Sequence, residues 1–387
     1  MIARCRVALL GFGTVGSAVA RRLIHPDAGA SGHGLELTHI FDRRASTKRA
    51  AHPQVARPFQ GRDRGAESAA PQVVWTDRVD EVLQSDVDVV VEAIGGVEPP
   101  ASWIADALVA GKSVVTANKQ VVAHHGVRLC RLAARQGRQL RFEAAVGGAI
   151  PIVRAVAEGL AGDRITRIEA ILNGTTNAVL SQMEATGCSM MAALADARAK
   201  GYAEADPSAD LDGDDARAKL AILCGLAFGL HVEPLRIPAR STARITPSDF
   251  DDARRRGGTI RQLAHAEYDY AASRLTAWIA PVIVPRSSIF AQTVGPANAA
   301  VVTGAHSGET GIFGVGAGGD ATSVAVLSDL MAIARDRAAI VPAPVLTTQF
   351  ELQPWGFEPT PDFVLLTSYF ELRTCESTFQ NGVAEAL

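Results

Sequence analysis

Residues 5–20, CRVALLGFGTVGSAVA, decide the fold. A short apolar run over 5–10 reads as a buried strand. It leads at once into Gly11-Phe12-Gly13-Thr14-Val15-Gly16, and then into a helical stretch from Ser17 to Ile24. Strand, glycine turn and helix in that order is the context that gives a G-x-G-x-x-G pattern its meaning. Gly11 permits the tight turn, Gly13 lets backbone approach a pyrophosphate, and Gly16 allows helix and strand to pack closely. The exposed N–H groups and the helix dipole then favour phosphate charge. The reading is a Rossmann-type dinucleotide site; a glycine turn without a ligand is the bland alternative, and its flanking elements argue against it.

Working outward, strands are expected at 35–41, 87–92, 113–116 and 139–143, with helices near 101–110 and over 124–136. Strands alternating with helices predict a parallel sheet with helices on both faces. Residues 45–72, rich in Arg, Ala, Pro and Gly, read as an irregular excursion. Near residue 146 the character changes: GGAIPIVRAVAEGLAG is a glycine-rich bend into a helix, and a second, α+β domain follows to about 305. A further glycine turn and helix over 314–335 suggests that 306–340 return to the first domain (1–145), leaving 146–305 as the second domain and 341–387 as a tail of unassigned role.

A chain of 387 residues is long enough for two cores. The net charge of −3 gives no footprint for nucleic acid or an anionic membrane. No run approaches the ~20 apolar residues of a membrane span, and glycines break the N-terminal apolar run before it can serve as a signal peptide. Five cysteines, odd in number and without CxxC spacing, favour reduced thiols and a cytoplasmic setting over disulfides or zinc.

Cofactor choice is ambiguous at this stage. Asp42, at the end of the second strand, is the acid expected to bind an adenosine ribose diol, whereas Arg43 and Arg44 suit a 2′-phosphate. The segment 200–229, KGYAEADPSADLDGDDARAKLAILCGLAFG, is the most informative in the second domain. Asp212 fits a helix N-cap and Asp214 suits the dipole. Asp215, Lys219, Ile222, Leu223 and Leu226 share one helical face, so Lys219 should turn inward beside Asp215. A partly buried lysine serves in proton transfer; a lysine that snorkels to the surface is the competing reading. Lys119 lies just past a strand's carboxyl end, where open α/β sheets bind ligands. Asn173-Gly174-Thr175-Thr176-Asn177 follows another strand and suits a small polar substrate or a simple helix start. His124-His125 and Arg254-Arg255-Arg256 read as structural or solvated positions.

With these residues in view, the chain resembles homoserine dehydrogenase. The stretches that carry the resemblance are LLGFGTVGSAVA, DVVVEAIGG, VVTANKQVVA, FEAAVGGAIPIV, ILNGTTNAVLSQM, KGYAEADPSADLDGDDARAKLAIL and GVGAGGDATSVAVLSDL, in family order over roughly residues 5–335. That family interconverts L-homoserine and L-aspartate 4-semialdehyde with NAD(P), in threonine, methionine and isoleucine biosynthesis. The resemblance implies Lys219 as proton donor and acceptor, and Lys119 between cofactor and substrate. It implies Glu204, Asp215, Asp210, Thr176 and Tyr202 around the substrate, Glu204 through the substrate's ammonium. Thr14, Val15, Ile94 and Lys119 would touch the cofactor, together with Gly11, Gly13, Gly16, Asp42, Arg43 and the returning Gly316 and Gly318. Glu143 and the carbonyls of Val146, Gly148 and Ile150 would hold a monovalent cation, sodium. The resemblance also implies a homodimer formed through the second domain. No kinase domain precedes the nucleotide unit and the tail does not match a regulatory ACT domain, so a monofunctional enzyme is expected. Alternatives are a dehydrogenase of another amino-acid-derived aldehyde, or a dinucleotide sensor without chemistry.

Overall fold

A computed structural model describes residues 4–24, 34–56, 72–337, 339 and 346–353, with the backbone of 364–365. The first sheet contains β1 (Cys5–Leu10), β2 (Leu35–Phe41), β3 (Val74–Thr76), β4 (Val89–Glu92), β5 (Ser113–Thr116) and β6 (Leu140–Arg141). They lie in the order β3-β2-β1-β4-β5-β6, every pair parallel. This is the doubly wound order, and the chain reverses direction across the sheet between β1 and β4, opening a crevice at the strands' carboxyl ends. Every residue of β4 and β5 is buried, as strands covered on both faces should be.

The helix Thr14–Ile24 opens inside the glycine motif. Gly11 has φ +98°, closed to most side chains, and a methyl group on Gly16 would overlap the Gly11 carbonyl oxygen. Gly16→Ala is therefore expected to destabilise the protein by about 1–3 kcal/mol through overpacking and to weaken dinucleotide binding. Chemical denaturation and cofactor titration check both, and an unaltered affinity would remove the close-packing argument.

Residues 45–56, expected to be irregular, form helices Ala45–Ala51 and Pro53–Ala56. Alanine-rich sequence favours helix locally, and edge contacts of Phe12 with His52 and Trp75 tie the segment to the glycine motif. Residues 57–71 of that expected excursion lie outside the described residues, as do residues 25–33. The helix expected over 124–136 begins earlier, at Lys119, because Asn118 caps it by accepting from the Val121 N–H.

The second sheet is mainly antiparallel: β11 (Gly308–Val315), β10 (Ala297–Gly304), β7 (Ile165–Ile171), β8 (Gly258–Asp269), β9 (Arg274–Pro285) and β12 (Glu351–Leu352) in that order, with β13 (Val364–Leu365) also on β9. Two expectations shift here. Strand β11 belongs to this sheet, so the return to the first unit starts only at the Gly316 turn; the helix Gly319–Arg335 then packs on Thr14–Ile24. Part of the tail joins this sheet as well, through β12 and β13.

Helices Gly174–Thr186 and Asp214–Phe228 pack against this sheet. One hydrophobic cluster runs from Val90, Ile104 and Leu129 of the first unit to Leu220, Leu223, Ile168 and Ala264 of the second. The helix Lys119–Arg135 packs on Asp214–Phe228 within it. The two units are therefore held across a shared core, and the ends of those two helices come together at the crevice.

Candidate active site

At that junction Asp215 stands between two lysines. Its Oδ1 lies 3.0 Å from Lys119 Nζ, and its Oδ2 lies 2.7 Å from Lys219 Nζ and accepts at 2.9 Å from Asn173 Nδ2. Lys219 also donates to the Leu172 carbonyl at the end of β7, 2.7 Å away. Lys219 points inward, as its helical face predicts, and its side chain is 13% exposed against 36% for Lys119. The helix places Asp215 and Lys219 one turn apart, whereas Lys119 arrives from the end of β5.

Burial pushes the Asp215 carboxyl up, but Lys219, Lys119 and the Asn173 amide outweigh it and hold the group well below the usual carboxylate range. Asp215 in turn raises Lys119 above an ordinary lysine, against burial, with smaller help from Asp210 and Glu204. Burial raises Asp210, whose Oδ1 accepts from Asn173 Nδ2 at 2.7 Å. The arrangement offers an ammonium at a protected position beside excess carboxylate charge. It suits a cationic, hydroxyl-bearing substrate.

The helix that carries Lys219 does not start as expected. Asp212 closes the short helix Ser208–Leu211, and Gly213, with φ +87°, caps Asp214–Phe228. Ile279 and Ala239 approach Gly213 closely, so tertiary packing set this turn.

Two family models match the chain. "Homoserine dehydrogenase" matches residues 151–331 and "Homoserine dehydrogenase, NAD binding domain" matches 11–143. A homoserine dehydrogenase of Mycobacterium tuberculosis is 40% identical over 367 residues, 92% of this chain and 79% of the relative. That of Corynebacterium glutamicum is 37% identical over 95% of this chain and 78% of its own length. The chain belongs to the homoserine dehydrogenase family. The solved structure of a homoserine dehydrogenase from Thiobacillus denitrificans superposes with a TM-score of 0.78 at 32% identity, covering 91% of this chain and 80% of that one. The family activity makes the chain an oxidoreductase with an NAD-binding unit.

The other residues expected to serve a homoserine dehydrogenase fall into three groups. Around the lysines, Glu204 is exposed. Thr176 is fully buried, with its hydroxyl donated to the Asp210 carbonyl at 3.0 Å, so it braces the short helical turn that carries Asp210. Tyr202 is 42% exposed and lines a cavity of about 590 Å³ with Ser181, Lys200, Arg254 and Arg286.

At the nucleotide end, Gly13 faces open space where a side chain would otherwise stand, the cradle a pyrophosphate needs. Thr14 begins the helix, and Gly319, just after Gly316 and Gly318, packs on its backbone. Val15 within the motif and Ile94 beside it are half-buried, and the Ile94 side chain reaches Gly11. Asp42 accepts from the N–H groups of Phe12 and Arg44, each at 3.0 Å, and from Lys48 Nζ at 2.5 Å. Burial raises its carboxyl, but those three donors lower it below the usual value. Arg43 is exposed. Lys48 was not singled out from sequence; its position one helical turn beyond Arg44 was the available signal.

The third group surrounds Glu143. Its carboxylate accepts from the N–H groups of Val153 at 2.8 Å and Arg154 at 2.9 Å, and its own N–H donates to Asp329. Burial and the Asp329 charge push Glu143 up to about 7, and burial pushes Asp329 up to about 6 despite its contact with Arg154. Among the described residues no cluster of three His, Cys, Asp or Glu is placed to hold a metal.

Cys5, Cys130, Cys188 and Cys224 are free thiols, and Cys375 lies outside the described residues. Burial pushes Cys130 and Cys224 up to about 12, which disfavours the thiolate that a cysteine-based aldehyde dehydrogenase needs. No described helix is long and apolar enough to cross a membrane.

Proposed function

We propose that Lys219 transfers the proton in the interconversion of L-homoserine and L-aspartate 4-semialdehyde, and that Lys119 bridges the cofactor and substrate sides. The observation that carries this is the sharing of one buried carboxylate, Asp215, by both lysines. The bound nicotinamide supplies or accepts the hydride. In the reducing direction Lys219 donates a proton to the oxygen that becomes the alcohol and stabilises the charge developing there. In the oxidising direction it receives that proton. Glu204 neutralises the substrate ammonium as water leaves, with Asp215 and Asp210 close by. Steady-state oxidation of L-homoserine tests the reading; greater turnover of another small amino alcohol would displace it.

The nucleotide end favours NADP over NAD. The Asp42 carboxylate is engaged by Lys48 and two backbone N–H groups, while Arg43 and Arg44 add cationic charge after β2. A 2′-phosphate fits that balance better than a ribose diol. Lys48→Ala would unmask the Asp42 charge, and the ratio of kcat/KM for NADP to that for NAD is expected to fall about 10–100-fold, the value of one charged hydrogen bond. Parallel assays with both cofactors check it. A preference for NAD in the unaltered protein would reverse the assignment.

A monovalent cation, sodium, fits the 143–150 loop, with Glu143 and the carbonyls of Val146, Gly148 and Ile150 as ligands. In support, the Val146 and Gly148 carbonyls accept no hydrogen bond among the described residues, and Glu143 is a buried carboxylate. We further read the chain as a cytoplasmic homodimer serving threonine, methionine and isoleucine biosynthesis. Its working division is a nucleotide unit to about 145, a catalytic and dimerisation unit beyond it, and a return of 316–335.

A further inference from the structure

Glu92 ends an otherwise all-valine strand, β4, with no exposed surface at all. Packing alone would favour a fourth apolar residue there, because a buried carboxylate is costly unless hydrogen bonds satisfy it. Here they do. Oε2 accepts from the Thr116 hydroxyl at 2.5 Å. Oε1 accepts from the Ile94 N–H at 2.8 Å, and more weakly from the Gly95 N–H and Asn118 Nδ2, both at 3.4 Å.

The donors belong to the two segments that wall the cofactor crevice. Thr116 ends β5, and its hydroxyl oxygen also accepts from the Asn118 N–H at 3.0 Å. Asn118 caps the helix that begins at Lys119, and its Nδ2 donates to the Gly96 carbonyl at 2.7 Å. On the other side, Ala93 and Ile94 press against Gly11, where any side chain would strike them. One carboxylate thus joins the glycine motif's neighbouring loop to the residue immediately before Lys119.

We propose that Glu92 is a positioning residue: it sets the Ile94–Gly96 wall and, through Thr116 and Asn118, the direction from which Lys119 reaches Asp215. It acts by geometry and not by its charge. The substitution Glu92→Gln would keep most of the network, since the new amide oxygen accepts from Ile94 and the amide nitrogen donates to the Thr116 oxygen, whose proton can rotate away.

The inference rests on the homoserine dehydrogenase reading, and L-homoserine oxidation is measured in the unaltered full chain alongside the variants. No turnover by the unaltered chain would sink that reading itself. With turnover present, Glu92→Ala is expected to lower kcat about 100-fold, as a misplaced reacting group does, while KM for L-homoserine shifts by less than about threefold. Glu92→Gln should recover to within about fivefold of the unaltered kcat. Should Glu92→Ala fail to fold, Asn118→Ala, which removes the side-chain bonds to Glu92 and Gly96 and the cap on the Lys119 helix while the backbone bond to Thr116 and the other donors to the carboxylate stay, should lower kcat about 10-fold with KM again little changed. Unaltered kcat in the alanine variant, or a glutamine variant as slow as the alanine one, would overturn the proposal.

Discussion

Replacing Lys219 with alanine is expected to lower kcat by on the order of 10²–10⁴-fold, the range for loss of a positioned general acid, while dinucleotide affinity stays close to that of the unaltered protein. The geometry separates the two effects. Lys219 lies on the helix Asp214–Phe228 and, among the described residues, its ammonium bonds Asp215 and the Leu172 carbonyl, whereas the phosphate cradle stands at Gly11–Gly16. Removing Lys219 leaves Asp215 paired with Lys119 at 3.0 Å, so no buried carboxylate is stranded and folding should survive. Arginine would keep the positive charge but not readily give up a proton, because its guanidinium stays protonated; Lys219→Arg should be nearly as slow. Single-turnover kinetics with a parallel cofactor titration check both variants. Turnover within about tenfold of the unaltered rate in Lys219→Ala would exclude Lys219 as the proton donor.

Removing the shared carboxylate should do wider damage. Asp215→Ala leaves two ammonium groups facing one another and removes one of the two carboxylates to which the Asn173 amide donates, the other being Asp210. Breaking a buried ion pair by deleting one partner costs about 3–5 kcal/mol, and the catalytic lysine also loses the group that orients it. Both the denaturation midpoint and kcat/KM should therefore fall, with Asp215→Asn intermediate because it keeps hydrogen-bonding atoms but not the charge. The pH dependence has a definite sign. The folded-state value of Asp215 is depressed, so its stabilising contribution is complete above the ordinary carboxylate value near pH 4. It is lost only as pH falls below that value, and a loss of stability between pH 7 and 5 would have to come from other groups. If Asp215→Ala proved as stable as the unaltered protein, the ion-pair account of this junction would fail.

Local pattern made some of this legible without a structure. The strand, glycine turn and helix of residues 5–24 depend on neighbours in sequence, and so does the pairing of Asp215 with Lys219, which one helical turn supplies. Burial of Lys219 followed from the apolar residues on its face. Other features depended on sheet order. The Glu92 network joins the ends of β4 and β5, and only their adjacency in the sheet brings Thr116 and Asn118 to that carboxylate. The signal was present in sequence, a charged residue closing the buried run Val89–Val91, but it did not say which donors would meet it. Asp42 likewise looked free to bind a ribose until the helix Ala45–Ala51 placed Lys48 against it.

The glycine motif and the Lys219 face were determined by sequence alone, because backbone sterics and helical periodicity act over a few residues. The tertiary structure decided the meeting of Lys119 with Asp215 and Lys219. That contact requires the hydrophobic core shared by the two units to hold the Lys119 helix against Asp214–Phe228, and no spacing along the chain encodes it.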